Sequence, residues 1–506
     1  MEVTLLLLLP VATALVGAIL GRKLVAAVSL LGALGTLGLA IGVALNWKSS
    51  LGGNQFKVDD MWISQLGIHW ALTIDGLNLA LVVLAAFVYA SVVLALALRQ
   101  PEEPRLFFFH LGLGATSVIG ALLAQDLILF VLFFDLMLVP FYFLVGQWGT
   151  GDKAKATLKM VIYTLAGSLL MLAAAVATGV YAANVSGNHI DYLFSNLAHV
   201  HLAKGTQQWL FLCFAAAFLV KMPAVPLHGW LKDAYKAMPL PVLALFSGVL
   251  SKVAAYGLLK AALPLFPDAA ASFQTLMLII GLVSIIYGSA LAFTTNDARL
   301  VVGYSSIAQL GFIVIGIFSL TTAGAQGALL QMVNHGIVTV LLVFIVGLLA
   351  NRAKGSEDLG SMGGMAMGAP ILAVVFLIAA FANLAMPASA NFVGEFLILK
   401  GVFDSTAVIA VLACLGVAMA AVYMLRMYIR AMHGPDENGV EQREITFKEA
   451  LPLLPATALV LALALSPQPL LKRTEGPATA AVAQAALAKG QSPDGKATTA
   501  KVVVKP

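Results

Sequence analysis

The chain has 506 residues, of which 61% are hydrophobic and only 10% charged, with a formal net charge of +5. This composition excludes a soluble globular protein, in which about 25% of residues carry charge, and most basic residues sit in loops and the tail rather than forming a nucleic-acid footprint. Two cysteines, Cys213 and Cys414, both inside apolar stretches, exclude a disulfide framework and a cysteine-held metal or iron–sulfur centre.

Apolar stretches suited to crossing a hydrocarbon core roughly 30 Å thick recur along the chain. They fall near 3–21, 25–46, 74–98, 105–122, 125–146, 157–183, 208–236, 241–263, 272–294, 298–319, 325–350, 369–401, 405–430 and 449–467. Backbone amides in lipid must find partners within their own segment, so each stretch is predicted to be a helix. The fold class expected is an all-α polytopic membrane protein of about fourteen transmembrane helices. The first stretch lacks a basic leader and reads as a retained helix, not a signal peptide.

The organisation expected is 1–104 for N-terminal helices, 105–263 and 264–430 for two five-helix units, 431–470 for a loop and last helix, and 471–506 for a tail. Alternate loops gather the basic residues, with Arg22, Lys23, Arg99, Arg105, Lys153 and Lys155 on one side and few on the other, among them Lys48, Lys57 and Lys204. The positive-inside rule then puts both termini on the outer face, as in a bacterial cytoplasmic membrane. The tail beyond Pro477 is rich in Ala, Lys, Gly and Pro and reads as a mobile, exposed extension.

Two stretches are interrupted in matching ways: Pro223 and Pro226 follow Lys221, and Pro387 precedes Glu395. Prolines free backbone carbonyls, which lipid does not tolerate unless the broken helix lines a cavity. Two broken helices five spans apart predict inverted five-helix repeats, with the breaks marking an ion path.

Four ionisable residues lie deep in apolar runs: Asp135, Lys221, Lys252 and Glu395. Lys221, for example, is roughly 21 Å along its segment at helical rise. A charge at that depth costs on the order of 3 kcal/mol, so its default reading is functional. The alternative for each is an ion pair that only fixes helix packing. Because desolvation disfavours the charged form, such groups exchange protons readily, and an acid, two bases and an acid suit a relay. His335 is the most central histidine and either bridges the two halves or serves as a packing residue. His228 follows the first break and either caps freed carbonyls or joins the relay.

The stretches FFDLMLVPFYFLVGQWG, FLVKMPAVPLHGWLKDAY, LSKVAAYGLLK, DARLVVGYSSIAQLGF, QMVNHGI and MPASANFVGEFLILKG resemble the antiporter-like membrane subunits of respiratory complex I, the proton-translocating NADH:quinone oxidoreductase. The resemblance covers roughly 70–430, and it implies proton-transfer roles for Lys221, Lys252, His335 and Glu395. Glu395, where L- and N-type subunits and antiporter homologues carry lysine, points to the M-type. Asp135 stands where the family has glutamate and Gln309 where it has histidine, which implies that the polar group at 309 is not needed for proton transfer here. Ala388 stands where the family has glycine. The resemblance also implies that NADH, flavin, iron–sulfur clusters and quinone belong to partner subunits and that the partners are other membrane subunits, including homologous antiporter-like ones. The alternative is a subunit of a sodium/proton antiporter or of a membrane-bound hydrogenase-type complex.

Overall fold

The structure, a computed structural model, describes residues 1–48, 53–187, 189–435 and 439–494. The first elements are α1 (Glu2–Leu20) and α2 (Val25–Asn46), the hairpin strands β1 (Gln55–Ile63) and β2 (Ile68–Ile74), then α3 (Leu79–Leu98), α4 (Pro104–Leu123), α5 (Leu127–Trp148) and α6 (Lys153–Ser186). After the short helix Phe194–Leu197 come α7 (Lys204–Lys221), α8 (Leu231–Ala237), α9 (Leu240–Leu265), α10 (Pro267–Thr294), α11 (Ala298–Phe318) and α12 (Thr322–Arg352). The remainder is α13 (Pro370–Asn383), α14 (Ala390–Ser405), α15 (Ala407–Met432), α16 (Phe447–Leu465) and α17 (Gln468–Ala488).

Every stretch expected to be a membrane helix is helical, and among the described residues 12 helices are long and apolar enough to cross a bilayer. The other two expected spans are the broken ones, and none of their parts is both long and apolar enough to cross alone. Helix starts follow capping chemistry: Asp126 accepts from the amides of Ile128 and Leu129, Asp152 from Lys155, Asp297 from Leu300 and Thr321 from Gly324. Thr446 and Glu449 form a reciprocal capping box at α16.

Two expectations need correction. The third apolar stretch starts as a helix at Leu79 and not near 74, because Ile68–Ile74 pairs antiparallel with Gln55–Ile63. Asp126 holds this hairpin to the start of α5 through the amide of His69, 2.9 Å away. The tail is also not an extended appendage through its first part: Gln468–Ala488 is a helix with Thr474, Ala478, Ala481, Val482 and Ala485 buried. These residues recur at helical spacing and form one apolar face. Gln326 donates to the Leu471 carbonyl at 2.7 Å, and the hydroxyls of Thr322 and Thr479 meet at 3.1 Å, so the helix is fastened across α12. The tail from 495 onward lies outside the described residues.

The centre of the bundle is formed by α9, α11 and α12, whose membrane-length windows are 100%, 100% and 89% buried, whereas α1 and α2 are only 33% buried and face lipid or neighbours. At one end, Arg299 pairs with Glu357 and donates to the carbonyls of Tyr235 and Met238 at 3.0 and 2.7 Å. This satisfies the guanidinium where it would otherwise be buried unpaired.

Candidate functional site

Helix α7 stops at Lys221, and the chain turns through Met222–Trp230 before α8 begins. Prolines at 223 and 226 cannot donate to the preceding turn, so carbonyls at the helix end must find other partners. The indole of Trp230 supplies one, donating to Val220 O at 3.0 Å. The expected cap, His228, does not fill this role; its ring lies edge-on to Tyr287, 5.4 Å between centroids, and its Nδ1 is buried without a hydrogen-bond partner.

Lys221 is 3% exposed. Its Nζ donates to Phe134 O at 2.5 Å and sits 3.5 Å from the centroid of the Phe134 ring, a carbonyl and a π-face both stabilising a desolvated cation. Asp135 is the next residue along α5. It is coupled electrostatically to Lys221, yet among the described residues no ion pair joins them, and Asp135 Oδ1 is buried without a partner. A void of about 10 Å³ borders Lys221, with Thr164 and Leu250 in its walls. That is close to the smallest space that holds one water.

Lys252 lies on α9, whose hydrogen-bond register shifts to a π-helix at Phe246–Leu250 and again at Leu258–Ala262. Such bulges loosen the carbonyl ladder and recur at functional sites. Lys252 Nζ uses the first one, donating to Ser247 O at 2.5 Å. Facing it on α12 is His335, fully buried and electrostatically coupled to Lys252. His335 Nε2 is 3.0 Å from the Thr339 hydroxyl, while Nδ1 has no hydrogen-bond partner. The two helices meet at glycines: a Cβ on Gly336 would lie 2.7 Å from Gly248 O.

Glu395 follows the second break, on α14, and is 3% exposed. Its Oε1 accepts from Gln309 Nε2 at 2.7 Å and from Gln331 Nε2 at 3.4 Å, and Gln331 also donates to Gln309 Oε1 at 2.6 Å. Gln309 further donates to the carbonyl of Asn383, the last residue before the break, at 3.3 Å. The glutamine that sequence reasoning set aside as unneeded therefore touches the carboxyl directly. Gln331 was missed because the search followed ionisable residues, although it stands in the same QMVNHGI stretch as His335. Around the break, side-chain polar atoms of Asn334, Asn383, Ser389, Asn391 and Tyr423 are buried without partners, a set of orphans that calls for ordered water.

The structure thus gathers the ionisable residues into three buried stations: Asp135 with Lys221, Lys252 with His335, and Glu395 with two glutamines. Among the described residues no direct hydrogen bond links one station to the next, so transfer between them requires intervening water or side-chain movement.

Residues 124–420 match the family described as NADH:quinone oxidoreductase/Mrp antiporter, TM. NADH-quinone oxidoreductase subunit M of Pseudomonas aeruginosa is 39% identical over 82% of this chain and 82% of its own. The subunit of that name from Escherichia coli K12 is 37% identical over 85% of this chain and 86% of its own. A chain of respiratory complex I from Thermus thermophilus superposes with a TM-score of 0.88 at 29% identity, covering 96% of this chain and 100% of its own. The fold, the paired helix breaks and these similarities together make the chain a member of the NADH:quinone oxidoreductase/Mrp antiporter family of membrane subunits.

Proposed function

We propose that this chain is the M-type, proton-translocating membrane subunit of an NADH:quinone oxidoreductase. The observation that carries the reading is the row of buried stations, each at a local failure of helical hydrogen bonding: Lys221 at a helix end, Lys252 at a π-helix and Glu395 beyond a break. Groups that titrate inside a bilayer need polar partners that exchange when charge changes. Freed carbonyls and glutamine amides supply them here. The subunit-M relatives support the assignment to a complex, and the carboxylate at 395 supports the M-type within it.

In this reading the chain performs no redox chemistry. NADH, flavin, iron–sulfur clusters and quinone are held by partner subunits, and Cys213 and Cys414, on separate helices, are too few to ligate a cluster. Quinone reduction elsewhere shifts charge along the membrane arm, and the stations of this chain respond by exchanging protons. Both termini face outward from the cytoplasmic membrane, since that orientation puts most loop lysines and arginines inside.

The test is the intact complex reconstituted in vesicles and driven by NADH, with lumen acidification followed by a pH dye. Lys221→Ala and Lys221→Arg should both assemble and both lose most pumping, because arginine holds its charge too firmly to release a proton. Full pumping by the arginine variant would overturn the proposal. Pumping that persists only with sodium present would instead favour a sodium/proton antiporter.

A further inference from the structure

Among the cavities, one feature is chemically two-sided. A cleft of about 660 Å³ runs between α2, α3, α12, α16 and α17, with walls that include Ile41, Val83, Phe87, Ile337 and Leu459. Its sole charged lining residue among those described is Arg473, at one end. Gly76 and Arg473 also line a second cavity of about 600 Å³, which contains Lys57, Lys260, Lys472 and Asp75. The two therefore adjoin at Gly76 and Arg473, one apolar and within the span, the other basic and at the hairpin end of the bundle.

The charges there are not all spoken for. Lys260 pairs with Asp75 at 2.7 Å, and Lys57 with Asp59 at 2.9 Å. Lys472 and Arg473 have no acidic partner among the described residues. Both are carried on α17, which is fixed in place by Gln326 and Thr322 and by contact with Gly76, where a Cβ would fall 2.3 Å from Pro477 Cγ and 3.0 Å from Arg473 O. The cationic pair is thus presented by an anchored element and not by a loop.

We infer that this cleft is a binding site for one anionic phospholipid, with acyl chain along α3 and α12 and phosphate at Lys472 and Arg473. From Leu79 to Phe87 the apolar wall extends roughly 12 Å at helical rise, near the half-thickness of roughly 15 Å of a hydrocarbon core. Guanidinium and ammonium groups at a membrane boundary favour anionic headgroups, arginine through bidentate contact with phosphate. A wholly apolar helix from a neighbour would fill the apolar part but bring no anion to Arg473. A phospholipid satisfies both ends.

The complex carrying this chain is placed in zwitterionic vesicles doped with a phosphatidylglycerol bearing a photoactivatable group on its acyl chain. After irradiation, adducts are mapped by mass spectrometry. Adducts are expected at Val83, Phe87 or Ile337, and they should fall on the order of tenfold with the K472Q/R473Q double variant, as for two basic residues at a membrane surface. A phosphatidylcholine probe with the same acyl group should label correspondingly less. Ala458→Phe, which fills the cleft and leaves both cations, should abolish labelling, so the proposal remains testable if the double variant does not assemble. Equal labelling by the two probes would overturn it, as would labelling unchanged by Ala458→Phe. Cross-links from a neighbouring subunit in place of lipid would give the cleft to a protein partner and likewise overturn it.

Discussion

The ammonium of Lys221 rests 2.5 Å from the carbonyl oxygen of Phe134, one residue short of the Asp135 carboxyl, whose Oδ1 is buried without a partner. The cation has two adjacent seats and occupies the neutral one. An anion within about 4 to 6 Å favours a lysine's charged form, and desolvation disfavours it. Moving between the carbonyl and the carboxylate would therefore load and unload the proton.

Asp135→Asn keeps the shape and removes the charge. The complex should assemble, and pumping should fall steeply at unchanged subunit content on a native gel. Because no contact closes the pair, Asp135→Glu extends the carboxylate by one methylene without overpacking and should pump near the parental rate. Parental pumping by Asp135→Asn would reduce this residue to a packing role.

Gln309 should matter to Glu395, because it donates directly to the carboxyl. A hydrogen bond to a charged group is worth about 1.5 to 3 kcal/mol, so Gln309→Leu should slow pumping roughly tenfold or more. Gln309→His should restore it by supplying an N–H again. Proton pumping and NADH oxidation measured together would separate a loss of coupling from a loss of the complex.

Sequence reasoning located the helices because hydropathy over a span is a strong signal, and located Asp135, Lys221, Lys252 and Glu395 because a charge in an apolar run stands out. It could not see that Lys221 and Lys252 take backbone carbonyls as partners, since every residue offers a carbonyl and only the fold decides which are freed. The hairpin Gln55–Ile74 falls almost wholly between the apolar stretches, and β1 mixes charged and apolar residues on both faces, so it gives no clean alternation. Helix α17 reads as a tail in the sequence because Gly476 and Pro477, ordinarily helix breakers, fall inside it and its first half is polar. The spacing of Thr474, Ala478, Ala481 and Ala485 carried the helical signal. Gln331 carries no charge, so attention to ionisable residues passes over this polar partner of Glu395.

The approach of α9 to α12 sets the Lys252–His335 station. Gly336→Ala would put a Cβ 2.7 Å from the backbone oxygen of Gly248, and neither backbone can yield without moving the π-helix. Overpacking of this kind costs about 1 to 3 kcal/mol. The variant should assemble with lower heat stability and pump more slowly, whereas Gly38→Ala, where an added Cβ meets nothing within 4 Å, should leave both unchanged. Heat-inactivation profiles of the two variants make the comparison.

Ala388 lies in the second break with φ of 69°, the left-handed region that an L-residue other than glycine occupies at a cost of about 1 to 2 kcal/mol. The backbone adopts it where the span is interrupted, between Asn383, which ends α13, and Ala390, which starts α14. A glycine at this position would have a conformational reason, and this chain carries the strain instead. Ala388→Gly relieves it but also frees the unfolded chain, so the net gain should be below the full strain, about 1 kcal/mol. Ala388→Val keeps φ positive with a branched Cβ and should lower the amount of assembled complex. Glu395 lies beyond the same break, so the valine variant should also pump less per assembled complex, while the glycine variant pumps at the parental rate. Assembled complex on native gels and pumping normalised to it distinguish the two effects; a glycine variant less stable than the parent would show that the Ala388 methyl contributes more by packing than its backbone costs in strain.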